Sequence, residues 1–271
     1  MILTALLDNS AASFALFEGE KDAALLATAR FATHVTRTAD EYAALLLSVL
    51  SKKAPDAKVE IVMLASVVPA MTDELRRAMG MLFPDAVCLT VGAGLRTGLT
   101  IRTQTPAEVG ADLVALAVGG LTLYKPPFLV LSASAVTTLC AVGEEQGHPA
   151  FLGCAIMPGV ASAVDALKEK TAQLTSVAPQ APQKAIGKST AESIRSGVVL
   201  GHAAAIDGLI AHFERELSSD ALPLVLTGEE CELVAPLLSR DAICDAELAH
   251  KGLLSLALQN RDKSGNPPKR G

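Results

Sequence analysis

Apolar residues in this chain arrive in short runs of two kinds, some continuous and some spaced for a helix. Residues 2–7 and 13–17 are apolar runs on either side of Asp8-Asn9-Ser10-Ala11-Ala12, the pattern of a hairpin closed by a tight polar turn. Residues 24–31 supply a third strand. Thr38-Ala39-Asp40-Glu41 has the spacing of a capping box, and Leu45, Leu46, Val49 and Leu50 recur behind it at helical intervals. A strand over 58–65, a helix over 71–83 with Thr72 near its start, and a strand over 86–91 follow. Gly92-Ala93-Gly94 and Gly98 then make a loop, residues 100–103 are extended, and an apolar helix spans 112–119.

The second half repeats this plan in pattern, without matching sequence. After Lys125-Pro126-Pro127 come a strand at 128–131, the turn residues Ser132-Ala133-Ser134, strands at 136–142 and 151–157, and a helix following Pro158-Gly159. Residues 175–188 read as a loop. Ser189-Thr190-Ala191-Glu192 is another capping box, at the head of a long helix whose Ile194, Val198, Ile206, Leu209, Ile210, Phe213 and Leu217 share a face. Gly197 and Gly201 on that helix suit close approach of a neighbouring backbone. A strand at 223–226 and helices at 231–238 and 247–259 close the fold. The polar tail from Lys263 reads as disordered. The fold class is α/β, with domains at 1–121 and 122–262, the second carrying a dimerisation helix, and a tail at 263–271.

Composition narrows the function. A chain of 271 residues, half of them hydrophobic, builds two cores of ordinary size. With aromatic residues at 3%, no Trp and a net charge of −6, it offers neither stacking platforms nor a basic stripe, which argues against nucleic acid as a partner. The five cysteines are widely spaced, mostly in apolar runs, as buried thiols are, and form no Cys-x-x-Cys pair. The histidines stand singly, so no metal site is expected. The first apolar run ends at Asp8, too short to span a membrane, and a cytoplasmic location is expected.

Candidate chemistry centres on Thr105-Pro106-Ala107-Glu108-Val109-Gly110-Ala111-Asp112. Thr105 and Glu108 fit a capping box with Pro106 at the first helical position, and Asp112 would then complement the helix dipole. A carboxylate just after Gly-Ala at the mouth of a helix can also face a cleft and accept a proton there. Other motifs fail on context. Gly92-Ala93-Gly94 precedes an extended segment rather than a helix. Gly187-Lys188-Ser189 has Pro182 where a P-loop needs its first glycine, and no Gly-x-Ser-x-Gly elbow occurs. Glu229-Glu230 reads as N-terminal charge for the helix that follows.

Two hairpin-led βββαβ-like units are the plan of the acetate and sugar kinase, actin and heat-shock ATPase superfamily. Thr38-Ala39-Asp40-Glu41-Tyr42, Ala65-Ser66-Val67-Val68-Pro69, Gly92-Ala93-Gly94-Leu95-Arg96-Thr97-Gly98-Leu99, Glu108-Val109-Gly110-Ala111-Asp112, Met157-Pro158-Gly159 and Gly187-Lys188-Ser189-Thr190 occur in order. In this the chain resembles the type III pantothenate kinase family. The resemblance implies two ribonuclease H-like (actin-like ATPase) domains with an interdomain cleft. It also implies ATP-dependent phosphorylation of pantothenate, the first step towards coenzyme A, with Mg2+ and a monovalent cation, by a dimer. Asp112 matches the family's general base and, with Gly110 and Ala111, its substrate site. Thr190 matches the threonine that reaches pantothenate across the dimer seam.

Other positions depart from the family pattern. Counting back from Phe14-Ala15-Leu16-Phe17, the first phosphate motif, Asp-x-Gly-Asn-Thr, falls on Leu6-Leu7-Asp8-Asn9-Ser10. Leu6 replaces the metal-linked carboxylate, and Asp8 sets negative charge where phosphate would lie. At ~4 Å and an effective dielectric of about 20 that contact opposes binding by about 4 kcal/mol. The second phosphate motif is reduced to Ser132-Ala133-Ser134-Ala135-Val136-Thr137-Thr138. Leu113, Thr103 and Glu229 replace an arginine, a pocket aromatic and an adenosine-motif glycine. Asp8, Asn9 and Ser10 are thus a degenerate nucleotide site, unless a two-residue shift of the hairpin makes Asp8 the phosphate-motif carboxylate. The expectation is a non-catalytic subunit that partners an intact type III pantothenate kinase paralogue, ATP and cations being bound by that partner, or else a homodimer. A competent kinase with an altered phosphate site and a non-catalytic metabolite-binding regulator are the alternatives.

Overall fold

The structure, a computed structural model, describes residues 1–18, 23–170 and 177–261. The chain divides into two compact units, one of Met1–Leu123 with the segment that begins at Leu248, the other of Tyr124–Glu247. In the first unit, β1 (Ile2–Leu7), β2 (Ala11–Phe17), β3 (Leu25–Ala32), β4 (Ile61–Ser66) and β5 (Val87–Thr90) form a sheet in the order β3-β2-β1-β4-β5. β1 is antiparallel to β2, with Leu7 opposite Ala12, and parallel to β4. Buried on both faces except at Leu6, it is apolar throughout apart from Thr4 rather than alternating. The hairpin turn is shorter than the spacing suggested, because Ala11 and Ala12 already belong to β2.

Helix α1 (Ala39–Lys53) starts at the expected capping box. Thr38 Oγ1 accepts from Glu41 N at 3.4 Å, and a Glu41 carboxylate oxygen accepts from Thr38 N at 2.8 Å. Tyr42, Leu46 and Leu50 of α1 are buried in the core with Leu3, Phe14 and Leu64. Helix α2 (Pro69–Leu82) opens with Pro69 at its first position, and Met71, Leu75 and Met79 join the same core. A short strand β6 (Thr100–Ile101) and helix α3 (Ala111–Gly120) follow.

The second unit repeats the plan. β7 (Phe128–Ala133), β8 (Val136–Glu145), β9 (His148–Pro158), β10 (Leu224–Thr227) and β11 (Ile243–Cys244) run β11-β10-β7-β8-β9, with β7 antiparallel to β8 and parallel to β10. The hairpin of β8 and β9 is longer than the apolar pattern indicated. Helix α4 (Val160–Lys170) follows β9. Then α5 (Thr190–Arg195), a π turn over Ser196–Leu200 and α6 (Gly201–Glu216) make one long helical stretch. Thr190–Glu216 is long and apolar enough to cross a bilayer, yet Val199, Ile206 and Ile210 lie in the core against Leu129, Leu131 and Leu139. Helix α7 (Cys231–Val234) is a single turn continued by a 3-10 turn at Ala235–Leu237.

Two sequence expectations change. The closing helix, Leu248–Gln259, which the sequence places in the second domain, contacts β1, β2, β4 and α3 and belongs to the first unit. A close backbone approach lies there. A Cβ on Gly119 would strike the carbonyl of Leu248, and one on Gly252 the carbonyl of Ala115, whereas a Cβ on Gly197 or Gly201 would meet open space in the single chain. Second, Thr105 makes no cap. Pro106–Glu108 is a 3-10 turn, Val109 is extended, and α3 begins afresh after Gly110. The tail at 263–271 lies outside the described residues.

Candidate functional site

Asp112 occupies the first turn of α3 in the first unit. Its carboxylate folds back over Gly110, whose missing Cβ would meet the Asp112 Oδ1 and come within 3.4 Å of Val67. The Gly-Ala-Asp order is therefore a packing requirement as well as a motif. Burial pushes the Asp112 carboxyl above its ordinary range, the N–H groups of Leu113 and of Asp112 itself pull it down, and the negative charge of Asp8 raises it further. A carboxylate of raised affinity for a proton, held at a helix mouth, is suited to base chemistry.

Asp8 closes the β1–β2 hairpin. Its Oδ1 accepts from Ser10 N at 2.7 Å, Ser10 Oγ at 2.6 Å and Ala11 N at 2.8 Å. Its N–H donates to Ala11 O at 2.9 Å, and Thr33 Oγ1 donates to its carbonyl at 2.7 Å. Consecutive N–H groups in a turn form a concavity for an anion, and here the anion is the chain's own carboxylate. Leu6, paired with Ser13 and Ala65, places hydrocarbon where a metal-linked carboxylate would sit. Asn9 is exposed at the tip. Asp8 so engaged is a turn residue, which opposes the shifted reading of the hairpin. Nucleotide phosphate with Mg2+ does not fit these residues.

The second unit also holds a carboxylate on backbone N–H groups. Glu230 turns its carboxylate onto the start of α4 and accepts from Val160 N and Ala161 N, each at 2.8 Å. The sequence reading assigned Glu229-Glu230 to the helix that follows them. The charge does cap a helix, but α4 rather than α7. Two glycines permit this approach. A Cβ on Gly159 would strike the carbonyl of Ser134, and one on Gly228, where φ is +96°, the carbonyl of Ala133. Glu230 N also donates to Ala133 O at 2.9 Å. On β8, Thr137 is buried and hydrogen-bonded to His202 at 3.1 Å, while the buried hydroxyl of Thr138 lacks a partner among the described residues. Burial lowers the proton affinity of His202 and the charge of Glu230 opposes that.

Thr190 is the exposed first residue of α5. The cap is made without it. Ser189 Oγ accepts from Glu192 N at 3.3 Å and a Glu192 oxygen accepts from Lys188 N at 2.7 Å. Thr190 instead lines a shallow depression of about 430 Å³ with Leu167, Ser193, Ile194, Gly197 and Val198.

Sequence reasoning missed two features. Asp-Asn-Ser at a turn is a legible Asx signature and could have shown that Asp8 binds its own backbone. Nothing local marks Glu230 as the cap of a helix 70 residues earlier. Among the described residues no cluster of three or more side chains could hold a metal ion.

A sequence profile described as type III pantothenate kinase matches residues 5–212. The type III pantothenate kinase of Thermomicrobium roseum is 36% identical over 260 residues, covering 94% of this chain and 96% of that one. That of Thermus thermophilus is 34% identical over 262 residues, covering 96% and 99%. Among solved structures, a Baf family transcriptional activator from Campylobacter jejuni superposes with a TM-score of 0.59 at 17% identity, over 95% of this chain and 98% of that one. A 2-dehydro-3-deoxygalactonokinase protein from Sinorhizobium meliloti superposes with a TM-score of 0.57 at 13% identity, over 96% of each. These structures show the actin-like ATPase fold. The profile and the two kinases carry the narrower assignment, and the chain belongs to the type III pantothenate kinase family.

Proposed function

We propose that this chain is the non-catalytic subunit of a heterodimeric pantothenate kinase. An intact family member in the cytoplasm binds ATP, Mg2+ and a monovalent cation and phosphorylates pantothenate, the first step of coenzyme A synthesis. This chain completes that neighbour's site by presenting Thr190. The observation that carries the reading is the Asp8 turn, whose N–H groups are held by an internal carboxylate at the position where the family keeps glycine. Phosphoryl transfer rests on positioning and charge stabilisation, so an occupied anion site together with Leu6 removes the activity rather than weakening it. Because Thr190 is surplus to the α5 cap, its hydroxyl is available for a substrate.

Calorimetric titration of the purified chain with ATP and Mg2+ tests the first half, and the expected result is no binding at millimolar nucleotide. Micromolar affinity overturns it. In a heterodimer with an intact family member, Thr190→Val lowers kcat/KM for pantothenate about ten- to a hundredfold, the cost of one polar contact of roughly 1–3 kcal/mol. Asp112→Asn leaves turnover unchanged. The raised proton affinity of Asp112 favours a second reading, a chain competent in its own site. Loss of activity in Asp112→Asn with none in Thr190→Val would establish that reading instead.

A further inference from the structure

Four of the five cysteines lie in the second unit, and the fold brings them together in two pairs. Cys140 on β8 stands directly opposite Cys154 on β9. Cys231, the first residue of α7, has the thiol of Cys244 on β11 as a neighbour that, with burial, raises its proton affinity. Both members of this second pair sit beside the end of β10. Cys244 is in register with Leu226, and Cys231 begins four residues after Thr227. No disulfide joins them. The two pairs differ in access. Cys140 is buried and Cys154 half-buried, whereas Cys231 is buried and Cys244 exposed on the short edge strand. The sequence places the cysteines mostly in apolar runs, as buried thiols are, and Cys244 is an exposed exception.

We propose that Cys231 and Cys244 form a reversible disulfide, closed by exchange with a low-molecular-weight disulfide, which ties the head of α7 to β11. The exposed Cys244 thiolate attacks one sulfur of the small disulfide. That S–S bond breaks, a mixed disulfide forms, and the first small thiol leaves with the proton Cys244 gave up. Cys231 then loses its proton and attacks the Cys244 sulfur, the second small thiol departs with that proton, and the protein S–S bond closes. Two cysteine thiols are oxidised and one small disulfide is reduced. The order follows from the surroundings, because burial and the adjacent Cys244 push the Cys231 thiol up to about 12, and a thiol so protonated is a poor first nucleophile. Cys140 with Cys154 offers no exposed sulfur to begin the exchange. The residue before Cys231 is Glu230, so the bond would also fix the loop whose carboxylate caps α4.

The test uses the full chain incubated with oxidised glutathione, with thiol counting and peptide mapping. Trypsin cuts after Arg240, between the two cysteines, while Cys140 and Cys154 share one peptide. The expected result is loss of two of the five thiols, a linked pair of peptides containing Cys231 and Cys244, and full recovery with dithiothreitol. Cys244→Ser should abolish the loss, and Cys231→Ala should stop at glutathione bound to Cys244. A wild-type chain that does not react, that keeps glutathione on Cys244 without the linked peptides, or that pairs Cys140 with Cys154 instead overturns the proposal.

Discussion

His250 gives the first unit a pH-dependent stability that can be calculated before it is measured. It lies on the closing helix, buried, with Nδ1 at 2.8 Å from Thr4 Oγ1 and Nε2 at 3.0 Å from Ser13 Oγ. Thr4 Oγ1 donates to Ala15 O at 3.1 Å, a closer acceptor than the Leu6 O that Ser13 Oγ reaches at 3.5 Å, so Nδ1 is assigned the proton and Nε2 accepts from Ser13. Burial, with Arg30 adding to it, lowers the imidazole from 6.5 to about 4. The folded-state value is depressed for a base, so the unfolded chain binds more protons between those values. The stabilisation is then whole above pH 6.5 and is lost as the pH falls towards 4. With these two values the loss between pH 8 and pH 5 is about 2 kcal/mol, reaching about 3 kcal/mol below pH 4. The chain has no Trp, so urea unfolding at pH 8 and pH 5 is best followed by far-ultraviolet circular dichroism. His202 shifts in the same direction, which makes His250→Gln the proper comparison. Wild type should lose about 2 kcal/mol more than the variant between the two pH values. Equal losses, or a His250 ring that titrates near 6.5 by NMR, would refute the reasoning.

Gly119→Ala and Gly252→Ala each force a methyl group onto a backbone carbonyl and should destabilise the chain by about 1–3 kcal/mol in thermal or urea unfolding. Gly197→Ala and Gly201→Ala meet open space in the isolated chain and should stabilise it by up to about 1 kcal/mol through helix propensity. If a partner subunit's backbone seats there, the same changes weaken assembly, measurable by analytical ultracentrifugation. Arg240 forks onto Glu214 at 2.7 and 3.0 Å, and Arg240→Ala, which leaves that carboxylate with the Leu222 N–H but without its cation, should cost about 1–3 kcal/mol in the same unfolding assay. Asp8→Gly releases the N–H groups of Ser10 and Ala11, and inorganic pyrophosphate should then bind detectably by calorimetry while pantothenate phosphorylation stays absent, since Leu6 is unchanged.

What could be read in advance was whatever nearest neighbours decide. The Thr38 and Glu41 box, the two hairpins and the repeated order of strands follow from spacing over a few residues. The Thr105 and Glu108 box had the same spacing and failed, because Val109 turns extended and Gly110 restarts the helix, so one pattern straddled two elements. Gly197 and Gly201 stand out on the longest helix, where helical spacing is conspicuous, but face no backbone of their own chain. The close contact lies between α3 and the closing helix, about 130 residues apart, and only the glycine inside each apolar run hinted at it. Asp112 and Thr190 were found by motif. Local packing then explained why Gly110 must precede one and why Ser189 leaves the other unused. The pairing of Glu230 with α4 joins two distant loops, a relation that spacing along the chain does not carry.

The first unit is assembled from two segments of the chain that the second unit separates in sequence. During synthesis, residues 124–247 form a continuous block that can fold once they leave the ribosome, whereas β1, β2 and α3 wait for the closing helix, the last described element to be made. Until then the small-residue side of α3 at Ala115 and Gly119 has no cover, and Thr4 and Ser13 lack the histidine that joins them. A premature stop just before Leu248 would therefore leave the downstream-encoded unit whole and the upstream-encoded one unfinished.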